Sequence, residues 1–451
     1  MFRRLFPQKV RFSLPNKIIY IFIFTSICFL FFEPIKAVGD TPSKNNSSSE
    51  ISTQSYTINF PINITFELTG KSDLEIDQIL FIYQLSNTNI SGYNHTSITH
   101  TPMTGVDSAK TDHRFTATSQ LATSGSNYIP SGTSVSYYFE IHHVDGEKQL
   151  SDSVSFDYLD PNYDWQKLES ETMTVFWHDI SKNKVEEVVS KSENVIDKVS
   201  DLLDLKQSQS MRAVIINTQK ESLKSFPKIS MSATRDNIYG GFAFHEYGVF
   251  IIRGLSVDAM IHEATHILTN QKMNSPLSRM PAWLSEGLAM YFEIDSKHRT
   301  RTAEIGYLQK KLRPLSSMES VPGKSMDIRI FYAHSQEIVR YLIDIEGKEK
   351  FLNLLNQINS GARADTSFID VYGRSLDDLD ESWRATLNPT FDRRLLVDPG
   401  TFWTSLILGT AFLFAVIVST VTWAKRRISN QSETMGEIFE IQNTCEDQRD
   451  H

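Results

Sequence analysis

The chain has 451 residues, 40% hydrophobic and 22% charged, which is enough for two or three globular domains without a long disordered excess. A net charge of -9 argues against nucleic acid as the main partner, because binding phosphates needs a basic surface. The only two cysteines, Cys28 and Cys445, lie towards the two ends. The body between them therefore has neither disulfides nor thiolate ligands, and a metal there must be held by His, Asp or Glu.

Residues 1–39 read as a signal peptide. Arg3, Arg4, Lys9, Arg11 and Lys17 form a basic start, Ile18–Phe32 is apolar but short for a bilayer span, and Ala37-Val38-Gly39 supplies small residues for cleavage. A Ser-, Asn- and Thr-rich stretch over 40–55 reads as a linker. Residues 56–160 then show short runs of alternating polarity, such as Gln78-Ile-Leu-Phe-Ile-Tyr and Val135-Ser-Tyr-Tyr-Phe-Glu-Ile, separated by Gly, Ser and Asn turns. Period-two alternation at this spacing predicts a β-sandwich of immunoglobulin or fibronectin type, read as a spacer or accessory module.

From residue 161 the texture changes. Met173–Trp177 reads as a strand, Val185–Leu205 has apolar residues at helical spacing, and Met211–Ile216 reads as another strand. That order opens an α/β unit, and the domain it begins is expected to run to about residue 395. Ile328–Glu346, Phe351–Ile358 and Ser367–Leu387 read as helical.

Phe402–Trp423 is uncharged and strongly apolar, which predicts a transmembrane helix over 402–424. Lys425-Arg426-Arg427 follows it, so the positive-inside rule puts the 425–451 tail in the cytoplasm. On that reading the protein sits in the cell membrane with a single pass, and its main domain faces outward.

The chemistry concentrates between Val249 and Glu293. Met260-Ile-His-Glu-Ala-Thr-His-Ile-Leu carries His262 and His266 four apart, hence one turn apart on one helix face, where two imidazoles can hold one ion. Glu263 is offset from that face and points at water on the metal instead, placed to take its proton. Ser256 and Asp258 supply a cap and a first-turn acid for this helix. Glu286 lies twenty positions beyond His266, in Pro281-Ala-Trp-Leu-Ser-Glu-Gly-Leu-Ala. Flanked by Leu284 and Leu288, it would be costly to bury without a partner, and a metal supplies one. Gly287 is expected to let another backbone approach closely, as where the two ligand-bearing helices meet at an ion. The expected cofactor is one zinc ion held by His262, His266 and Glu286.

This layout resembles the gluzincins, the metallopeptidases of the thermolysin and aminopeptidase type, and more narrowly the peptidase MA-like family of exported bacterial metallohydrolases. Tyr332-Ala-His-Ser, Val339-Arg-Tyr-Leu and Tyr372-Gly-Arg-Ser-Leu with Trp383 are similar as well, so the likeness runs from about Trp165 to Leu387. It implies zinc-dependent hydrolysis of a peptide or protein substrate, with Glu263 as general base. It also implies that the run before the motif is the sheet's edge strand, whose residues Val249, Phe250, Ile251 and Ile252 would bind substrate backbone. Tyr332 is the first candidate for stabilising the oxyanion, ahead of His334, while His245 could line the cleft. Two departures stand out. Met290 occupies the place where thermolysin-like enzymes carry a histidine-orienting acid, leaving Glu293 as the nearest substitute. Gly240-Gly-Phe-Ala-Phe stands where aminopeptidases carry an acidic amine anchor, which favours an endopeptidase.

The expected fold is therefore α+β: an N-terminal immunoglobulin/fibronectin-like β-sandwich, a gluzincin-type zincin catalytic domain and a C-terminal transmembrane helix. The alternative function is a catalytically silent, exported zinc-binding or adhesion module whose sandwich binds a partner.

Overall fold

The computed structural model describes residues 49–85, 91–101, 113–208, 210–228, 240–295, 297–387 and, further on, 407, 408, 410–412 and 414–422. The expected signal peptide and cytoplasmic tail lie outside these residues.

The N-terminal part is all β. Its strands are β1 (Ser49–Asn59), β2 (Asn63–Ser72), β3 (Ile76–Leu85), β4 (Ser91–His95) and β5 (Ser97–Thr101). After them come β6 (His113–Ala122), β7 (Ser134–His143), β8 (Lys148–Leu150) and β9 (Val154–Asp157). One antiparallel sheet runs β1-β2-β6-β5; the other runs β4-β3-β7-β8, with β9 also paired to β7. Every second residue of β2 and β7 points inward, which is what the alternating sequence requires. Phe66 and Phe81, one from each sheet, meet with ring centroids 4.3 Å apart in a shared core. β1 starts at Ser49, so part of the stretch expected to be linker is strand.

The second part is built on a five-stranded sheet ordered β10 (Gln166–Glu169), β11 (Met173–Trp177), β12 (Met211–Ile216), β14 (Val249–Arg253) and β13 (Gly241–Phe244). β11, β12 and β14 are parallel, while β10 and β13 run antiparallel at the two edges. Val175, Ala213 and Phe250 face a large core shared with α1 (Lys182–Leu202) and, after the short α2 (Gln219–Ser225), with α3 (Val257–Lys272). Phe176, Val214 and Ile251 face a smaller core on the opposite side.

Helices complete the domain: α4 (Ala282–Tyr291), α5 (Lys297–Leu308), α6 (Ser325–Arg340), α7 (Lys348–Asn359), α8 (Ala364–Tyr372) and α9 (Leu376–Thr386). The expected helix over 328–346 ends α6 in a π-helical turn, Tyr341–Ile345. The lobe over 367–387 divides where Gly373 takes a left-handed conformation and Ser375 caps the next helix through a capping box with Asp378.

The transmembrane expectation does not hold. Among the described residues no helix is long and apolar enough to cross a membrane.

Candidate metal centre

α3 leaves β14 through a short turn and is capped by Ser256, whose hydroxyl accepts from Ala259 N–H at 3.3 Å. One turn of this helix separates His262 from His266, and their Nε2 atoms stand 3.2 Å apart. Glu286, on α4, brings its Oε2 to 3.4 Å from His262 Nε2 and 3.6 Å from His266 Nε2. Ligand atoms of all three residues lie within 4.8 Å of one another, a spacing that one ion at about 2 Å from each can bridge. The three residues predicted as ligands are thus brought together.

The ring orientations suit the same purpose. His262 Nδ1–H donates to Glu293 Oε1 at 2.9 Å, and His266 Nδ1–H donates to Ser285 Oγ at 3.3 Å, leaving both Nε2 lone pairs directed at the common point. Glu293 is buried, and its other oxygen is held by the Arg299 guanidinium at 2.5 Å. Asp258 fixes this segment by accepting from the backbone N–H of Ile294 at 2.7 Å and of Asp295 at 3.3 Å. The carboxylate absent at Met290 is therefore supplied by Glu293. Met290 itself is buried, and its carbonyl accepts from Gln336 Nε2 at 3.0 Å. Replacing Glu293 with Gln keeps the shape but removes the charge that steadies His262. We expect zinc affinity to fall about 10- to 100-fold, as read by competition with a chromogenic chelator.

The electrostatics favour a cation. Burial opposes a charge on His262, but the carboxylates of Glu286 and Glu293 outweigh it and hold its pKa up at about 10. Burial likewise disfavours the Glu286 carboxylate, yet His266 and His262 overcome it and hold its pKa well below the usual range. A divalent ion satisfies the same carboxylates without protonating the imidazoles, so the donor set fits zinc. Glu263 differs: burial pushes its carboxyl pKa up despite the lowering pull of His262 and His266.

Two expectations are corrected here. Val249, Phe250, Ile251 and Ile252 are fully buried between β12 and β13, so β14 is an interior strand and offers no free backbone to substrate. The edge beside the metal centre is β13. Gly287, for its part, does not serve the approach of α3 and α4. A Cβ there would stand 2.4 Å from the Ser335 carbonyl, so it lets α4 close on α6.

A cavity of about 750 Å³ lies over the cluster, lined by β13, α3 and α4, with Tyr332 and His245 at its wall. His334 is buried elsewhere, with Nε2 3.0 Å from Asp380 and its ring stacked on Trp383. It is a packing residue.

Gly241, Asp258 and Arg299 pack against or hold members of this cluster, which the motif reading did not anticipate. A Cβ at Gly241 would lie 2.7 Å from Glu263 Oε1 and 2.9 Å from the Ile251 carbonyl, which belongs to the paired strand and cannot yield cheaply. Gly241→Ala should cost roughly 1–3 kcal/mol of stability, by thermal or denaturant unfolding. It should also lower kcat by displacing Glu263, without loss of zinc. The Gly240-Gly241 doublet was the available signal.

No curated protein matches the sequence. Among solved structures, a bromine derivative of BhCBM56 aligns at 10% identity, covering 24% of this chain and 98% of its own, with a TM-score of 0.16. The cycloalternan-degrading enzyme from Trueperella pyogenes, in complex with a covalent intermediate, aligns at 14% identity over 20% of this chain and 13% of its own, with a TM-score of 0.14. Likenesses this slight bear on neither fold nor function. The segment holding the whole cluster is another matter, for residues 228–389, with His262, His266 and Glu286 among them, match the family model described as the Peptidase MA superfamily.

Proposed function

We propose that the chain is an exported, zinc-dependent endopeptidase whose centre is His262, His266 and Glu286. The convergence of those three ligand atoms, beside a buried glutamate and the last described strand of the sheet, carries the reading. The basic, apolar and small-residue run of residues 1–39 supports export.

Zinc held by His262, His266 and Glu286 would supply Lewis acidity, which lowers the pKa of water and polarises a carbonyl. The protein does the rest. β13 offers its outer backbone groups to an extended peptide, aligning it over the cavity as an added strand. Glu263 takes the proton from the attacking water and hands it to the leaving amine. Tyr332, which lines the cavity, is the residue proposed to donate its hydroxyl to the oxyanion that develops on the carbonyl oxygen. Glu293, held by Arg299, keeps His262 in one tautomer throughout.

A peptide library digested with the purified protein tests this reading. Internal cleavage should appear, stop with chelator and return with added zinc. Cleavage that persists in chelator would refute metal dependence, and release of single N-terminal residues would refute the endopeptidase assignment.

A further inference from the structure

The β-sandwich does not stand apart from the catalytic sheet. Tyr128, in the loop between β6 and β7, donates its hydroxyl to the Ser225 carbonyl at the end of α2. Its ring lies 5.4 Å from Phe244 on β13, and its own carbonyl accepts from the Tyr247 hydroxyl at 3.4 Å, just beyond that strand. Phe226, next to Ser225, packs on Phe242 with ring centroids 4.8 Å apart. Tyr128 therefore reaches both aromatic residues of the edge strand, one directly and one through Phe226.

Alternation along β13 explains why this matters for the cleft. Ala243 packs towards the core that contains α3, and Gly241 lies against Glu263, while Phe242 and Phe244 lie on the opposite side with the sandwich loop. The junction is close and charged as well as apolar. A Cβ at Gly132 would stand 2.4 Å from Val214 Cγ2, and the Gly132 carbonyl accepts from Arg212 Nε at 2.6 Å. Arg212 also pairs with Asp157, and Lys224 lies 3.5 Å from Asp160. A spacer domain needs none of these contacts. Among the described strands β13 is a four-residue strand at the end of its sheet, and such a strand needs support from behind if it is to hold a peptide.

We infer that the β-sandwich is a built-in brace for the substrate-binding edge, with Tyr128 as a positioning residue that fixes β13 through Phe244, Ser225 and Tyr247. The inference rests on the proposed peptidase reading for what the edge holds, but the bracing can be measured without it. Tyr128→Ala and Tyr128→Phe would be made in the full chain and followed by hydrogen–deuterium exchange, zinc content and peptide kinetics. In Tyr128→Ala, exchange at residues 241–244 should rise about tenfold or more relative to β12. KM should rise several-fold with kcat and zinc content nearly unchanged, the signature of weakened substrate binding. Tyr128→Phe keeps the ring against Phe244 and loses only the hydroxyl bond, so it should give a smaller rise in exchange. That variant carries the test if the alanine form does not fold. Unchanged exchange at 241–244 relative to β12 overturns the brace, as does a uniform rise across the whole sheet. Selective loosening of β13 in a protein that cleaves no peptide supports the brace and counts against the peptidase reading.

Discussion

Glu263→Gln should lower kcat by about 10²- to 10⁴-fold while leaving one zinc per chain. The amide matches the carboxylate in size, so the tight fit against Gly241 and the surrounding core is kept. It cannot accept a proton near neutral pH. Glu263 is buried, and burial pushes its carboxyl pKa upward, which suits a group that takes a proton from water and returns it in the same turnover. The comparison needs kcat on a cleaved peptide and zinc content on the same preparation. Full turnover with zinc retained removes Glu263 from the mechanism, whereas loss of zinc would mean that it holds the ion.

Glu286→Ala should be at least as damaging, by a different route. It removes the carboxylate that lies 3.4 Å and 3.6 Å from the two imidazole nitrogens, leaving two protein ligands where a catalytic zinc uses three. Zinc affinity should fall by more than the ~10- to 100-fold expected from disturbing a supporting carboxylate, and activity should be lost with it. A pH effect accompanies this in the metal-free protein. Burial lowers the His262 pKa and Glu286 is its strongest opponent, so without Glu286 the value should drop from about 10 towards the ordinary histidine range. A histidine with a raised folded-state pKa contributes stability that is complete below about 6.5 and is lost as pH rises through 10. In the variant that loss should begin at lower pH. Histidine NMR titration reads the pKa, and unfolding across pH 6–10 in chelator reads the stability.

The histidine pair was legible because helix geometry dictates its spacing, residues four apart sharing a face, while Glu286 was legible from its apolar neighbours Leu284 and Leu288. The sandwich was legible for a similar reason, since alternation in β2 and β7 states which face is buried. The edge strand was misassigned because chain order and spatial order differ there. β13 precedes β14 in sequence yet lies outside it, a hairpin that periodicity within one strand does not reveal. A signal was present all the same. Val249-Phe-Ile-Ile is apolar on successive positions, which suits a strand covered on both faces, whereas an edge facing a cleft suits Gly240-Gly241.

Glu293 was found by elimination, but Arg299 and Asp258 were not, because what they hold lies far along the chain from the helix they serve. Asp258 looked like a charge for the helix terminus, and it is also the acceptor that pins the segment after α4. The apolar run from Phe402 to Trp423 predicted a membrane span from composition and length, and among the described residues no helix is long and apolar enough to cross a membrane. Gly287 was read as a contact between the two ligand-bearing helices, when the backbone it admits belongs to α6.

The proposed hydrolysis depends most on one ion at one place. Metal-free protein titrated with zinc, with bound zinc and peptide cleavage measured on the same samples, tests this directly. Cleavage should rise in proportion to bound zinc and level off at one ion per chain, and protein with His262 and His266 both changed to Ala should neither bind zinc there nor cleave. Full cleavage without bound zinc, or unchanged binding and cleavage in the double variant, would contradict the assignment of His262, His266 and Glu286 as the catalytic centre.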